Sequence, residues 1–393
     1  MASSKIRVGL IGAGYIASWH ADALRATDGV EITAVCDPSE AAAKGLADGL
    51  GVRAFGGVAD LIEAKVCDAV HILTPPHLHH PLAIQCLKAG LHVLVEKPVA
   101  TSASETAEIE AVAQEHGVRF HAGHNFMGLP SYDRLKGMLA KGELGRVSMA
   151  EVHWCLPLAP LRSGPFGIWL LREPKNLLLE LGPHLMGFIV DLFGVPDIQS
   201  VQLSKPVDLP GDDTRHQAWR IMAQAGDVDV TLTISMVETI DDRSLTLRGS
   251  SGRARLDFAA DTLVIERENA SDLVLNPLRR QLDLSWQHLR EGLGNTITQV
   301  VSLNRKSPYA LSFQGMDAAI YDALRTDKAP DARFSGDSAV KVMTALDQAL
   351  ALIPADMLKA AEPKAKTRNP KPTAMVIGGT GFIGRALTRA LVA

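Results

Sequence analysis

The sequence is short of the features that mark several large functional classes. Its four cysteines, Cys36, Cys67, Cys86 and Cys155, are scattered over 393 residues without a C-x-x-C pair. That argues against a disulfide framework or a cysteine-rich zinc site and for free thiols in a reducing cytoplasm. Charge of one sign is lacking too: 40 Lys and Arg stand against 44 Asp and Glu, a net charge of −4. No nucleic acid and no anionic membrane surface is therefore expected as a partner. The opening MASSKIRVGL has no long apolar core of the signal-peptide kind. The most apolar stretch, residues 177–195, carries Glu180, His184 and Asp191, which makes it a poor membrane span. With 47% hydrophobic and 21% charged residues, the chain has the make-up of a globular protein, and its length points to two or three domains.

What is present starts almost at residue 1. Residues 5–20, KIRVGLIGAGYIASWH, read as a buried strand, a glycine turn and the start of a helix. Gly12, Gly14 and Ala17 fit G-x-G-x-x-G/A, a dinucleotide-binding fingerprint. Gly12 allows the tight turn, Gly14 lets the backbone approach a pyrophosphate, and Ala17 lets helix and strand pack closely. The helix start at Tyr15 and Ile16 then offers free N–H groups and a positive dipole end to phosphates. A second strand, VEITAVCDP, ends in Asp37, 23 residues past Gly14 (37 − 14). A carboxylate there suits the ribose hydroxyls and repels a 2′-phosphate, so NAD is expected rather than NADP.

The strand–helix alternation continues. The run Ala69–Leu73 reads as a strand stopped by Thr74, Pro75 and Pro76, and ligands of open α/β sheets lie outside such strand ends. His77, His79 and His80 follow without a carboxylate or cysteine at ligand spacing; they read as a loop and helix start with His77 near the cofactor, not as a metal site. The next strand ends in Glu96–Lys97–Pro98. The proline keeps Lys97 extended into the same crevice, where its ammonium can serve a carbonyl or alkoxide; the plain alternative is a surface Lys–Glu pair. Further on, in NLLLELGPHLMGFIVDLFG, Glu180 and His184 share a face if one helix holds both. His184 is either a core residue or a catalyst.

The segments GLIGAGYIASWH, TPPHLHHPLAIQCLKAGLHVLVEKPVA and LGPHL together resemble the Gfo/Idh/MocA family of oxidoreductases over about residues 5–355. The resemblance implies a doubly wound parallel Rossmann sheet followed by an α+β domain with a large, mostly antiparallel open sheet. It implies NAD(P)-dependent hydride transfer at a sugar or cyclitol carbon, a homodimer or homotetramer through the open sheet, and Lys97 and His184 as the family's lysine and histidine. Glu180 stands where the family usually has aspartate. Met127 and Gly128 stand where an arginine is frequent. Two rival readings go with this resemblance: a regulatory binder of NAD or sugar without turnover, and an enzyme that uses bound NAD transiently with no net redox change.

The expected domains are 1–122, binding the dinucleotide; 123–355, binding substrate; and a basic, proline-containing linker over 356–372. Residues 373–393, with Gly378, Gly381 and Gly384, resemble the opening strand–turn–helix of an extended short-chain dehydrogenase of the sugar-nucleotide epimerase type. On that reading the chain is a fragment of a larger fusion protein.

Overall fold

The structure, a computed structural model, describes residues 5–163, 168–209, 213–267, 274–359, 376 and 382–392. Strands β1 (Ile6–Ile11), β2 (Val30–Cys36), β3 (Arg53–Phe55), β4 (Ala69–Ile72), β5 (His92–Glu96) and β6 (Phe120–Gly123) form a parallel sheet in the order β3-β2-β1-β4-β5-β6. Helices α1 (Tyr15–Arg25), α2 (Glu40–Leu50), α3 (Val58–Glu63), α4 (His79–Lys88) and α5 (Ala103–Glu115) connect them. The strands are covered on both faces, which is why they read as near-continuous apolar runs. Val8, Leu10, Val70, Ile72 and Val95 are fully buried. Strand order reverses between β1 and β4, and there the two loops close on each other. Gly12 has φ +103°, and a Cβ on it would lie 2.7 Å from the Leu73 carbonyl oxygen.

The second sheet has seven strands in the order β13-β12-β11-β7-β10-β9-β8. After α6 (Pro130–Ala140) come β7 (Val147–Cys155), α7 (Ala159–Ser163), α8 (Trp169–Arg172) and α9 (Asn176–Phe193). Then follow β8 (Asp197–Leu209), β9 (Asp213–Ala225), β10 (Val228–Ser235), β11 (Asp242–Gly249), β12 (Gly252–Asp257) and β13 (Thr262–Arg267). All neighbours are antiparallel except β7 and β10. Strand signals in the sequence at residues 148–155, 198–203, 220–223, 228–235, 244–248 and 263–267 coincide with these strands except β12, whose GRARLD offers only Ala254 and Leu256 to the core between charged residues. Helix α9 covers one face of the sheet. It is long and apolar enough to cross a membrane by length and composition, but 78% of that window is buried inside the fold. The other face alternates outward through Arg220, Met222 and Gln224 on β9 and Arg248 on β11.

Helices α10 (Asn276–Val301), α11 (Pro308–Arg325) and α12 (Gly336–Ala351) bring the chain back onto the first domain, with α11 against α1 and α12 between α5 and α9. Gly128, one of the two residues at the position where an arginine was expected, is where α11 lies closest. A Cβ on Gly128 would strike the Ser312 carbonyl, and one on Gly315 the Gly128 carbonyl. Helix α13 (Phe382–Val392) holds Gly384, whereas Gly378 and Gly381 lie outside the described residues. The four cysteines are unpaired thiols.

Buried histidines give this fold an acid weakness. Burial depresses His121 to about 3 and His124 to about 4. The unfolded chain takes up those protons near pH 6.5, so stability is full above that pH and declines as pH falls towards 4. At pH 5 each histidine costs about 2 kcal/mol. Asp317 works the other way, since burial raises its pKa. Comparing the wild type with His121→Phe isolates the histidine. The variant is expected to lose about 2 kcal/mol less than the wild type between pH 7.5 and pH 5 in chemical denaturation. Equal losses would show that His121 is protonated in both states or in neither.

Candidate active site

A cavity of about 490 Å³ opens outside the carboxyl ends of β1, β4 and β5, against α9 and the start of α11. Its wall includes Tyr15, Ile16, Thr74, Glu96, Lys97, Glu180 and His184. The fold thus brings together seven of the expected residues from four separate stretches of sequence. Gly12, Gly14 and Asp37 lie beside it, along the glycine loop. Pro75 and His77 are exposed, on the loop after β4, and lie outside the lining of this cavity.

Lys97 follows the last residue of β5. Its ammonium donates to Glu180 Oε1 at 2.5 Å and lies 3.4 Å from the Glu180 carbonyl oxygen. The pair is a third exposed at most (16% and 30% for the two side chains), so it is not the surface Lys–Glu couple of the alternative reading; Lys97 reaches across 83 residues of sequence rather than to its neighbour Glu96. Both Glu180 and His184 fall inside α9, one turn apart, although Pro183 sits between them in the same helix. His184 is buried, stacked on Trp154 (centroids 5.2 Å, 11° between planes) and edge-on to Phe126 at 4.9 Å. Its Nδ1 has no hydrogen-bond partner among the described residues. Burial, and then the nearby charges of Lys97, His124 and Arg243, hold its pKa well below the usual histidine value, so the ring is neutral. A neutral, incompletely hydrogen-bonded imidazole one turn from an ammonium–carboxylate pair can accept a proton while the ammonium steadies an oxyanion.

Glu96 has a different job from Lys97. Its carboxylate is buried, accepts the Lys97 backbone N–H at 3.1 Å and contacts His20 Nε2 at 2.9 Å. Burial works against the charge, but the His20 hydrogen bond and the charges of His20, Lys97 and His79 outweigh it and hold the carboxyl below its usual value. The chain continues from His20 Nδ1 to His71 Nδ1 at 2.9 Å and from His71 Nε2 to the Tyr321 hydroxyl at 2.8 Å. This buried string from α1 through β4 to α11 anchors the end of β5, and with it the backbone of Lys97. His79 adds a second anchor: its Nδ1 lies 2.8 Å from the Pro98 carbonyl and its Nε2 2.6 Å from the Thr74 carbonyl, and the neutral ring donates to one of them according to its tautomer. It is a clamp between the two loops. His80 pairs with Glu108 on α5.

Sequence reasoning missed Trp154, Arg243 and Tyr309. Arg243 lies over Trp154 at 5.3 Å and pairs with Asp241, giving the cavity a second cation. All three come from the second sheet or α11. Only the alternation that points Trp154 and Arg243 to the helix-covered face could have flagged them.

The glycine loop fits a dinucleotide. Gly14 caps α1 without a side chain, and a Cβ built on it meets nothing within 4 Å, so there is open space over the helix start. Asp37 Oδ2 accepts the Ala13 N–H at 2.9 Å and Oδ1 the Ser39 N–H at 2.8 Å, which fixes a carboxylate beside the loop. Gly12→Ala is expected to weaken NAD binding at least tenfold, because any Cβ there meets the Leu73 carbonyl and the positive φ disfavours it. Titration of NAD against intrinsic fluorescence checks this; unchanged affinity would mean that the loop can shift without cost.

Sheet order, glycine loop and cavity define a Rossmann-fold oxidoreductase with a second, sheet-bearing domain. Residues 6–124 match the oxidoreductase family with an NAD-binding Rossmann fold, and residues 132–255 match the GFO/IDH/MocA C-terminal domain. The chain belongs to the Gfo/Idh/MocA family. It is 30% identical over 271 residues to an uncharacterized oxidoreductase of Streptococcus pneumoniae serotype 4, covering 64% of this chain and 69% of that protein. It is 34% identical over 211 residues to the uncharacterized oxidoreductase YdgJ of Escherichia coli (strain K12), covering 52% of this chain and 58% of that one. It is 34% identical over 151 residues to an inositol 2-dehydrogenase of Corynebacterium glutamicum, covering 37% and 44%. The chain thus spans about half the length of these last two relatives. The WlbA dehydrogenase from Bordetella pertussis, solved with NADH and UDP-GlcNAcA, superposes with a TM-score of 0.71 at 19% identity over 90% of this chain and 96% of that one, which is a likeness of fold.

Proposed function

We propose that the chain is an NAD-dependent dehydrogenase acting on a secondary alcohol of a sugar, cyclitol or sugar nucleotide. The observation that carries this reading is the meeting of Lys97, Glu180 and neutral His184 in one cavity beside the glycine loop. When bound, the dinucleotide supplies the hydride acceptor. Neutral His184 takes the hydroxyl proton of the substrate. Lys97 hydrogen-bonds the developing oxyanion, Glu180 keeps the Lys97 ammonium in place, and the apolar wall of Phe126, Trp154 and Phe313 excludes water. Arg243 offers a site for a carboxylate or phosphate on the substrate. Relatives that include an inositol 2-dehydrogenase support a polyol or sugar as substrate.

The test is a panel of sugars, cyclitols and sugar nucleotides with NAD, followed by NADH absorbance and by mass spectrometry of the products. NADH formed in step with a ketone supports the reading. A product without net NADH points to transient use of the cofactor. No product from any compound, with NAD bound, points to a regulatory binder. We further read residues 373–393 as the opening unit of a second dinucleotide-binding domain, on the G-x-x-G-x-x-G run and the helix that follows it. The unpaired thiols favour a cytoplasmic setting.

A further inference from the structure

Helix α10 faces the wrong way for a globular protein. Its half-buried positions include Leu284, Gln287, Glu291, Asn295 and Thr298, spaced along one side, and most of them are polar. They fasten the helix to the edge of the seven-stranded sheet. The Gln287 amide accepts the Ile265 N–H at 2.8 Å and donates to the Ile265 carbonyl at 2.8 Å. Glu291 accepts the Leu263 N–H and binds Arg134 through both oxygens, and Asn295 donates to the Ala260 carbonyl. These side chains satisfy backbone groups that edge strand β13 would otherwise leave open.

The opposite side is apolar and exposed: Leu278 58%, Leu282 61%, Trp286 63%, Leu289 51%, Leu293 53% and Ile297 60%. A stripe of this kind normally faces a core. Six side chains of this size, each more than half exposed, present on the order of 600 Å² of apolar surface, close to the ~800 Å² that one partner contributes to a stable interface.

We propose that this face is the contact between two copies of the chain, paired as antiparallel α10 helices about a two-fold axis. The spacing carries the choice of partner. From Leu278 to Ile297 the steps are 4, 4, 3, 4 and 4 residues, which read the same from either end. An isologous interface needs that symmetry, because residue i on one copy meets residue j on the other and j meets i. The register sets Trp286 against Leu289 of the partner subunit, Leu282 against Leu293 of the partner subunit, and Leu278 against Ile297 of the partner subunit. Charge agrees. Asp283 and Arg290 flank the stripe on the same side, so antiparallel pairing opposes unlike charges twice. The open face of the sheet, by contrast, sets Met222 singly between Arg220 and Gln224, with Arg248 on β11, and carries no continuous apolar stripe along these positions.

The experiment uses sedimentation velocity on the full chain and on the Leu282→Glu/Leu293→Glu variant, both positions being exposed. The expected result is a wild-type mass twofold higher than that of the variant, with NAD affinity equal in the two. A Trp286→Cys/Leu289→Cys variant, oxidised under native conditions, is expected to run at twice the chain mass. A Leu278→Cys/Leu282→Cys variant is not, because those positions do not face each other in this register. Equal masses for wild type and glutamate variant overturn the proposal, as does a monomeric wild type. A monomer that sediments with phosphatidylcholine–phosphatidylglycerol vesicles assigns the stripe to a lipid surface instead.

Discussion

Replacing Lys97 by methionine is expected to lower turnover by about a thousandfold while leaving NAD affinity within twofold of the wild type. The residue emerges from the last turn of the strand ladder at β5, its backbone is held by the Glu96–His20–His71–Tyr321 string, and its ammonium sits 2.5 Å from Glu180. Methionine keeps the length of the stem and removes the ammonium beside Glu180, so on the proposed mechanism the loss falls on stabilisation of the oxyanion. Because Glu180 is 30% exposed, water can take over its lost partner and the fold should stand. The comparison of kcat with the dissociation constant for NAD is decisive. A kcat within tenfold of wild type would remove Lys97 from the chemistry and leave it a structural ion-pair partner.

His184→Phe should be comparably severe, lowering turnover by about 10²–10⁴-fold. Phenylalanine preserves stacking on Trp154 and the edge contact to Phe126 but has no nitrogen to accept a proton. The wild-type pH profile supplies an independent readout. On the proposed mechanism the base form of His184 is the active one in alcohol oxidation, and burial and the charge of Lys97 push its pKa down. The acid limb of kcat/KM therefore belongs well below pH 6.5, with activity undiminished on going from pH 7.5 to 6.5. An acid limb centred at 6.5 or above would show that a less buried group is the base. A His184→Phe variant with wild-type kcat would assign the histidine to the core alone.

The unequal legibility of this site in the sequence has a physical basis. Gly12, Gly14 and Asp37 are readable as candidates because the pattern is local: a turn, a helix start and a strand end all lie within one strand–helix–strand unit. Lys97 was readable as a candidate because the strand and proline around it fix its direction. His79 was not, since its two carbonyl partners belong to separate loops at Thr74 and Pro98. The position at Met127–Gly128 looked like a lost contact, and the structure gives it a reason: Gly128 and Gly315 let the backbone of α11 touch the loop after β6. Strand β12 escaped notice because a strand with one open face and arginines on it carries little apolar signal.

By itself the sequence determined a dinucleotide loop at the start of a parallel sheet, a second β-rich domain, and the four-residue spacing that puts Glu180 and His184 on one face wherever a single helix holds both. Those depend on periodicity and on spacings of a few residues. Only the tertiary structure decided that Lys97 pairs with Glu180 instead of Glu96, that Trp154 and Arg243 complete the cavity, and that α10 turns its apolar stripe outward. Each of those depends on which surfaces meet, and such contacts are set by packing of whole elements rather than by any local pattern.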